Sequence, residues 1–530
     1  MAGIVQVTSS LTNIYSEDIL QSQQIRWRNL FKRFKIEYGH LPSFVSRSPG
    51  RVNIIGEHID YSLYGVLPMA ITADVLLAVS TSTLTNKNGC HQIRISNIQS
   101  EKFQPHLFEI SNDTVVIDST IHEWTNYFKA GLRGAIEILR KKHGSNFKPA
   151  SMEIIVDGSI PVGSGLSSSA ALVSASALAV MFANGEDSIN KIAFAELVIT
   201  SERAVGVNSG GMDQSASILS LRDSALYVSF VPELTTKAVK FPKSDPEFTF
   251  LIAQSFVQSN KHVTGPVCYN LRVVECSMAA AFLNSQLNKK DGKYITLPQD
   301  SSPLGISLRS FQQAYFSGSS LSFEDQLSEL VNLTKRTLTE ERGYTQEEIA
   351  KALDCSVSEL KERFMSNFPV CAERFLLRQR AIHVFTEARR TIEFLSLIEN
   401  QKSNLDTSND FLTESFNQKL GDLMNASQDS CRDNYECSCP EINDLCEIAR
   451  RAGSYGSRLT GAGWGGCTVH LVPNNKLQAV STAWEDFYYR RRELTPEEKI
   501  NAVITSKPGY GSAVFVLEES DLTWMNRDGE

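Results

Sequence analysis

One stretch of the sequence, residues 161–171, restricts the fold of this chain more than any other. It reads PVGSGLSSSAA, follows a strand-like run at Met152–Val156 and precedes an apolar, helix-forming run at Leu172–Phe182. A strand, a glycine loop and a helix N-terminus in this order direct unpaired backbone N–H groups and the positive end of the helix dipole towards one point, which suits phosphate. No Walker A lysine follows, and Ser168 replaces the third glycine of a Rossmann fingerprint. A tight turn into a core helix is the alternative.

A second stretch, residues 48–61, concentrates polar groups between apolar strand residues. It reads SPGRVNIIGEHIDY and contains Arg51, Glu57, His58 and Asp60 within ten positions. Carboxylates accept paired hydrogen bonds from neighbouring hydroxyls, and a guanidinium can donate to phosphoryl oxygens. The stretch therefore indicates a polyol or phosphate site. A surface turn with salt bridges and a metal site built from Glu, His and Asp are the alternatives.

Two further stretches bring isolated acids and a second glycine loop. ERAVGVNSGGMDQ carries Glu202 on a predicted helix and presents Asp213 after a glycine turn, while RLTGAGWGGC at 458–467 precedes a predicted strand. One acid suits a divalent cation, and the other could accept a hydroxyl proton; for Glu202 alone, a solvated helix charge is the alternative. Two glycine loops with two acids suggest a nucleotide phosphotransferase that lacks a P-loop.

Composition excludes several classes of protein. The 530 residues carry 52 basic and 60 acidic side chains, a net charge of -8, which argues against nucleic acid or an anionic membrane as the main partner. No run of about 18 apolar residues predicts a membrane span. The first residues lack a secretory pattern, so we expect a cytoplasmic protein. Ten scattered cysteines do not predict a disulfide scaffold, and the spacing of Cys431, Cys437, Cys439 and Cys446 is wrong for zinc.

The order of predicted elements indicates an α+β protein. Strands and helices mix without regular βαβ alternation, and we expect an extension and helix at 1–40, an α+β domain at 41–240 and a second one at 241–530. In the first segment, Trp27, Leu30, Phe31 and Phe34 mark one helix face. Polar loops are predicted at 288–303 and 400–410. The segment 345–364 has the spacing of a helix-turn-helix, but residues 340–363 carry seven carboxylates against four bases. We therefore interpret the segment as two packed helices and not as a DNA-binding motif.

Taken together, the four stretches resemble the motifs of the GHMP superfamily of small-molecule kinases, and within it the galactokinase family. SPGRVNIIGEHIDY is similar to the galactokinase signature and GSGLSSSAA to the superfamily's ATP motif, while GGMDQ and LTGAGWGGC match the other two motifs in chain order. The pattern GEHxDY is specific to the galactokinase branch. The similarity covers roughly residues 43–475, and runs such as ECSCPEI resemble the longer fungal members.

This resemblance implies a two-domain GHMP kinase fold with the active site in the cleft between the domains. It also implies roles for individual residues. Arg51 and Asp213 would be catalytic, with Arg51 stabilising the transferring phosphoryl group and Asp213 beside the anomeric hydroxyl of galactose. Ser169 and Glu202 would bind Mg²⁺. The remaining groups are those that would bind the sugar, namely Arg51, Glu57, His58, Asp60, Gly210, Asp213 and Tyr269, and those that would surround the ATP phosphates, namely Gly163, Ser164, Gly165, Leu166, Ser167, Ser168 and Ser169.

Two alternatives to a plain galactose kinase stay open at this point. Some fungal relatives are galactose- and ATP-dependent signal transducers that bind a transcriptional repressor. Transducers that lost catalysis lack a Ser-Ala pair in the ATP motif, and here Ser167 to Ala171 are complete. Loss of kinase activity is therefore not indicated, and a second, regulatory function stays open. N-acetylgalactosamine kinases share all four motifs, and the sequence does not reveal whether the pocket has room for an acetamido group.

Overall fold

The computed structural model describes residues 3–82, 91–110, 115–118, 123–145, 147–206, 209–258, 264–291, 295–366, 370–404 and 412–518. Within these residues, the strands are β1 (Gln6–Thr8), β2 (Phe44–Ile55), β3 (Leu67–Ser82), β4 (His91–Asn97), β5 (His106–Ile110), β6 (Ser151–Gly158), β7 (Ala225–Ser229), β8 (Thr235–Val239), β9 (Ser244–Asp245), β10 (Phe248–Gln254), β11 (Leu412–Thr413), β12 (Gly456–Thr460), β13 (Cys467–Pro473), β14 (Val503–Ser506) and β15 (Ala513–Val516).

The helices of the same residues are α1 (Glu17–Tyr38), α2 (Thr125–His143), α3 (Ser168–Ala183), α4 (Lys191–Arg203), α5 (Met212–Leu219), α6 (Tyr269–Asp291), α7 (Leu308–Tyr315), α8 (Phe323–Thr337), α9 (Gln346–Ala352), α10 (Val357–Met365), α11 (Leu377–Asn404), α12 (Glu414–Asp433), α13 (Pro440–Arg451), α14 (Leu477–Phe487) and α15 (Pro496–Ile500). Across the part of the chain that is described, we find no helix with both the length and the apolar character that a membrane span requires.

A seven-stranded sheet forms the first layer, with the strand order β1-β15-β2-β3-β6-β4-β5. Its pairs are antiparallel except for β1 with β15 and β4 with β6. Side chains alternate between the two faces of a strand. On β3, Leu77 and Val79 therefore join the main core, which includes residues of α2 and α3, while Leu76 and Ala78 join the core beneath α1. Both faces of this sheet are covered by helices.

Helix α1 covers one face of this sheet, as its sequence periodicity predicts. Trp27, Leu30, Phe31 and Phe34 are buried on that face. The ring centroids of Trp27 and Phe515, a residue of β15, lie 5.0 Å apart. The segment 1–40 is thus part of the main sheet's packing.

The second layer combines a smaller sheet with most of the other helices. Its four strands run antiparallel in the order β12-β13-β10-β14. Helices α13 and α14 pack on one face through buried residues that include Leu445 and Trp484. The long helix α11 packs against α6, α8 and α12 and approaches β2. This contact brings the helical region to the strand that carries residues 48–55.

The structure confirms most of the predicted elements and changes three assignments. The segment 345–364 forms α9 and α10, which pack on α6 with Ile349, Leu360 and Phe364 buried. Both predicted polar loops begin inside a helix. Helix α6 continues to Asp291, within the loop predicted at 288–303, and α11 continues to Asn404, within the loop predicted at 400–410. Residues 292–294 and 405–411 lie outside the described residues. The strand β15 lies between β1 and β2, so residues 513–516 belong to the first sheet and not to a unit that starts at 241. Pairing between distant strands leaves no local sequence signal, which explains the difference.

Candidate active site

A pocket at the end of β2 brings together residues from most of the predicted motifs. It is lined by Arg51, Glu57, His58, Asp60, Ser209, Met212, Asp213, Tyr269, Gly461 and Ala462. Six of the seven residues predicted to bind the sugar are in this set. The seventh, Gly210, lies directly against it, because a Cβ atom at Gly210 would be 2.5 Å from Asp60 Oδ2. Glycine is therefore required there for Asp60 to keep its position.

Arg51 connects this pocket to the glycine-serine loop. Its side chain is 2% exposed, and its Nε and Nη2 atoms lie 2.8 and 2.7 Å from Asp213 Oδ1. Its Nη1 atom donates to the carbonyl oxygen of Gly165 at 2.7 Å. One guanidinium thus contacts both the acid at the start of α5 and the loop before α3. The two catalytic candidates of the sequence lie in direct contact.

Asp60 is a buried carboxylate whose charge is disfavoured. It accepts a hydrogen bond from the backbone N–H of Met212 at 3.2 Å. Burial and the nearby charge of Asp213 raise the pKa of Asp60 to about 6. A carboxyl in this state exchanges its proton near neutral pH and interacts strongly with any hydroxyl that replaces water in the pocket.

Glu57 is held by a buried ion pair with a residue of the fourth motif. Its Oε2 accepts hydrogen bonds from Arg458 Nη2 at 2.9 Å and from the backbone N–H of Gly461 at 3.1 Å. Burial raises the pKa of Glu57, and the charge of Arg458 opposes this effect. Arg458 also donates to the carbonyl oxygen of Asn53 at 2.7 Å. The fourth motif therefore fixes one wall of the pocket.

Both ring nitrogens of His58 are engaged by the protein. Nε2 is 3.0 Å from the carbonyl oxygen of Ala462, and Nδ1 is 3.0 Å from the hydroxyl of Tyr61. The Tyr61 hydroxyl in turn lies 2.5 Å from that of Tyr435. Because both ring nitrogens already have protein partners, we expect His58 to contact the sugar through its backbone or through the face of its ring.

Tyr269 opens α6 and closes the pocket from the helical side. Its ring centroid lies 5.5 Å from that of His58 and 5.6 Å from that of Tyr61. Burial and the charges of Asp60 and Asp213 raise the pKa of Tyr269 well above its ordinary value. The phenol therefore stays protonated and can donate a hydrogen bond at neutral pH.

The glycine-serine loop forms as predicted, between the end of β6 and the start of α3. Ser167 is the N-cap residue with a φ of 60°, but its side chain makes no capping hydrogen bond. In the described structure its Oγ atom is buried and has no hydrogen-bond partner. This hydroxyl is therefore available to donate to an anion at the loop, as the predicted phosphate site requires. The missing cap does not by itself exclude a structural turn, because Ser16 also begins α1 without a side-chain cap bond.

The two glycine loops pack on each other through their backbones. A Cβ atom at Gly461, where φ is +87°, would lie 2.2 Å from the carbonyl oxygen of Gly165. The same test at Gly165, where φ is +74°, gives 3.0 Å to the carbonyl oxygen of Thr460. Side chains at either position would push the loops apart. This contact joins the phosphate loop candidate to the second layer.

The two candidate magnesium ligands lie at different elements around the site. Ser169 is in the first turn of α3, and Glu202 is buried near the end of α4. The Glu202 carboxylate accepts a hydrogen bond from the side-chain amide of Gln214, the neighbour of Asp213. Glu202 is thereby linked to the catalytic candidate, and its joint role with Ser169 stays a prediction.

Several residues of the site had no individual role in the sequence-based prediction. Ser209 and Met212 lie within the stretch around Asp213 and had no individual predicted role. The same holds for three residues of the fourth motif, namely Arg458, Gly461 and Ala462. Glu387 and His383, which contact the backbone of residues 56–57 from α11, lie in an ordinary helical pattern. Only the packing of α11 against β2 reveals them.

Three family models match this chain. A family model described as "Galactokinase galactose-binding signature" matches residues 32–81, one for the "GHMP kinases N terminal domain" matches 126–220, and one for "GHMP kinases C terminal" matches 411–490. The galactokinase of Saccharomyces cerevisiae is 39% identical over 518 residues, covering 92% of this chain and 94% of the relative. That of Dictyostelium discoideum is 40% identical over 508 residues, covering 94% of each.

A solved structure supports the fold. The crystal structure of Lactococcus lactis galactokinase complexed with galactose aligns with a TM-score of 0.62 at 22% identity, over 92% of this chain and 99% of that one. At this identity the likeness concerns the fold alone. The family models and the full-length relatives settle the classification: this chain belongs to the galactokinase family of the GHMP kinases.

Proposed function

We propose that this chain transfers the γ-phosphoryl group of ATP to the anomeric hydroxyl of galactose, giving galactose 1-phosphate and ADP. The relatives named above are galactokinases over nearly their whole length. The observation that carries the proposal is the position of Arg51, which contacts Asp213 in the pocket and the carbonyl of Gly165 in the phosphate loop candidate. Phosphoryl transfer needs positive charge between the sugar and the nucleotide, and Arg51 would supply it there.

Asp213 and Arg51 would act on the two ends of the transfer. A loose phosphoryl transition state depends on positioning and charge neutralisation more than on covalent chemistry. Arg51 supplies a buried positive charge that Asp213 holds in a fixed orientation. Asp213 either takes the proton of the anomeric hydroxyl or orients that hydroxyl for attack. In both cases its carboxylate has to face the sugar while it keeps Arg51 in place.

Buried acids would recognise the sugar. Asp60 and Glu57 line the pocket, where a carboxylate left unpaired by the wrong epimer is costly. Tyr269 adds a protonated phenol, and the close contact at Gly210 sets the position of Asp60. We propose Asp60 as the group that selects the axial hydroxyl of galactose.

The glycine-serine loop would bind the ATP phosphates. The unpartnered Ser167 Oγ and the N-terminus of α3 offer donors to an anion. Ser169 and Glu202 provide hydroxyl and carboxylate oxygens, which are the hard ligands that Mg²⁺ prefers. When bound, Mg²⁺ neutralises charge on the phosphates.

We also propose that the protein acts in the cytoplasm. Nine cysteines lie in the described residues, and all nine are free thiols. Buried thiols that stay reduced are typical of reducing compartments.

An ADP-release assay against galactose, N-acetylgalactosamine and glucose tests the proposal. We expect turnover with galactose and at least about 10⁴-fold lower kcat/KM with glucose, because glucose leaves a buried polar group unpaired. Higher kcat/KM with N-acetylgalactosamine than with galactose would replace the proposed substrate. Absence of ADP release with all three sugars would contradict the proposed reaction.

Binding of a transcriptional repressor is a separate proposal, and the relatives named above, which are described as galactokinases, do not favour it. A pull-down of a candidate repressor with this protein, with and without galactose plus ATP, measures this binding directly. Capture that depends on both small molecules would add a regulatory function. Equal capture in all conditions, or none, would remove it.

A further inference from the structure

The backbone of residues 56–58 has an unusual conformation that needs external partners. Gly56 has a φ of 100° and His58 a φ of 60°, both in the left-handed region. Such a turn leaves neighbouring N–H groups pointing away from the strand ladder, and buried N–H groups need acceptors. The residues involved, Glu57 and His58, line the pocket. The side chains that hold this turn therefore also fix the positions of Glu57 and His58 at the pocket.

One carboxylate from α11 accepts both of these N–H groups. Oε1 of Glu387 lies 2.9 Å from the backbone nitrogen of Gly56 and 3.1 Å from that of Glu57. Glu387 is fully buried, and its other contacts are with Ser427, whose hydroxyl donates at 2.7 Å, and Arg390, whose Nε donates at 2.8 Å. Burial acts to raise the pKa of Glu387, but Arg390 and Arg458 lower it to about 2. The carboxylate is therefore charged at neutral pH.

A histidine one turn earlier on α11 contacts the carbonyl of the same turn. His383 Nε2 lies 3.0 Å from the carbonyl oxygen of Glu57, which can only accept, so Nε2 carries the hydrogen. Its Nδ1 lies 2.9 Å from the hydroxyl of Ser430. Burial lowers the pKa of His383 to about 4, so the ring is neutral and Nδ1 accepts from Ser430. Helix α11 thus contacts both polar backbone groups of Glu57.

We propose that Glu387 and His383 are positioning residues for sugar binding, which hold the turn at Gly56–His58 so that Glu57 and His58 face the substrate. This inference rests on the proposed function, since it concerns the sugar of that reaction. Neither side chain is among the residues that line the pocket, so both act through the backbone they hold. Small displacements of binding groups change affinity strongly. The sugar side of the reaction, and not the nucleotide side, should respond.

The first test is Glu387→Gln, with KM measured separately for galactose and ATP. The amide keeps an oxygen that can accept the two N–H groups but loses the charge, and charged hydrogen bonds are about twice as strong as neutral ones. We expect the KM for galactose to rise about tenfold, equivalent to about 1.4 kcal/mol, while the KM for ATP changes less than about twofold.

A second pair of variants keeps the inference testable if Glu387→Gln does not fold. His383→Leu removes the donor to Glu57, and His383→Gln can place an amide N–H near the position of Nε2. We expect His383→Leu to raise the KM for galactose severalfold and His383→Gln to restore most of it. A merely structural role would not give this recovery together with an unchanged KM for ATP.

The matched control is Glu275→Gln. Glu275 is also buried, accepts one backbone N–H from Leu376 at 2.7 Å and pairs with Arg380 at 2.8 Å, but it does not contact residues 56–58. We expect lower thermal stability and a KM for galactose within about twofold of the wild type.

Each outcome decides the inference. A galactose KM that stays within about twofold in folded Glu387→Gln or His383→Leu overturns it, as does an equal rise in both KM values or the same rise in Glu275→Gln. A wild-type protein that releases no ADP with galactose contradicts the proposed function first, and the inference falls with it. A selective rise in active enzyme supports both.

Discussion

Replacing Asp60 by asparagine should stabilise the protein and impair sugar binding. The carboxyl is buried between Gly210 and Met212, and it is disfavoured in its charged form by burial and by Asp213. Asparagine has nearly the same shape, keeps an oxygen that can accept from the N–H of Met212 and carries no charge. The substitution therefore removes the cost of the charge and keeps the packing.

The expected stabilisation follows from the pKa of Asp60. Its value rises from 3.8 to about 6 on folding, and each tenfold change in proton affinity is worth about 1.4 kcal/mol, so the charged form costs about 3 kcal/mol. Because the folded pKa is raised, the wild type is most stable below pH 3.8 with respect to this group and loses that stability as the pH rises through 6. Asp60→Asn should therefore gain about 3 kcal/mol at pH 8 and about half of that at pH 5.

Thermal unfolding of both proteins at pH 5 and pH 8 measures this difference. We expect the unfolding temperature of Asp60→Asn to exceed that of the wild type by more at pH 8 than at pH 5, while the KM for galactose rises at least about tenfold. The reverse control is Asp74→Asn. Burial acts to raise the pKa of Asp74, but Arg26 and Arg47 lower it below the ordinary value of 3.8. The stability that this charge contributes is therefore fully present above pH 3.8 and is lost only as the pH falls below it, so Asp74→Asn should lose the same stability at pH 5 and at pH 8. A gain for Asp60→Asn that is equal at both pH values, or absent, would refute the reasoning.

Three further variants test other parts of the structure. Asp213→Ala should lower kcat about a thousandfold in an ADP-release assay, with a native circular dichroism spectrum; near-normal kcat would contradict the role of Asp213. Gly165→Ala forces a side chain into a backbone with a φ of +74° and should cost about 1–2 kcal/mol, raising the KM for ATP more than that for galactose; equal KM changes would count against the phosphate role of the loop. Trp27→Ala removes a fully buried ring and should lower the free energy of unfolding by about 3–5 kcal/mol; a change below about 1 kcal/mol would show that α1 is not part of the core.

The features that depend on local patterns could be predicted from the sequence. The apolar face of α1, the strand before the glycine-serine loop and the helix after it follow from periodicity and from glycine and serine chemistry. The motif residues around Arg51 and Asp213 indicated the kind of chemistry. That they meet in one pocket is an outcome of the fold, and the resemblance to a known family predicted it.

The contacts between distant segments could not be predicted in this way. Nothing in the sequence near Glu387 distinguishes it from a solvated helix charge, and its two backbone partners lie more than 300 positions earlier in the chain. The ion pair of Glu57 with Arg458 and the place of β15 in the first sheet have the same origin. Each arises from tertiary packing, which periodicity and spacing do not encode.

The position of β15 has a consequence for how the chain is made. During synthesis, β2 and the inner face of α1 emerge early. The strand that lies beside β2 and contacts Trp27 spans Ala513–Val516 and is therefore translated near the end of the chain. Until then β2 has an open edge and part of the apolar surface under α1 is uncovered. An unpaired strand edge can form hydrogen bonds with a strand of another chain. We therefore expect a nascent or truncated chain that stops before residue 513 to require chaperones and to aggregate when they are depleted.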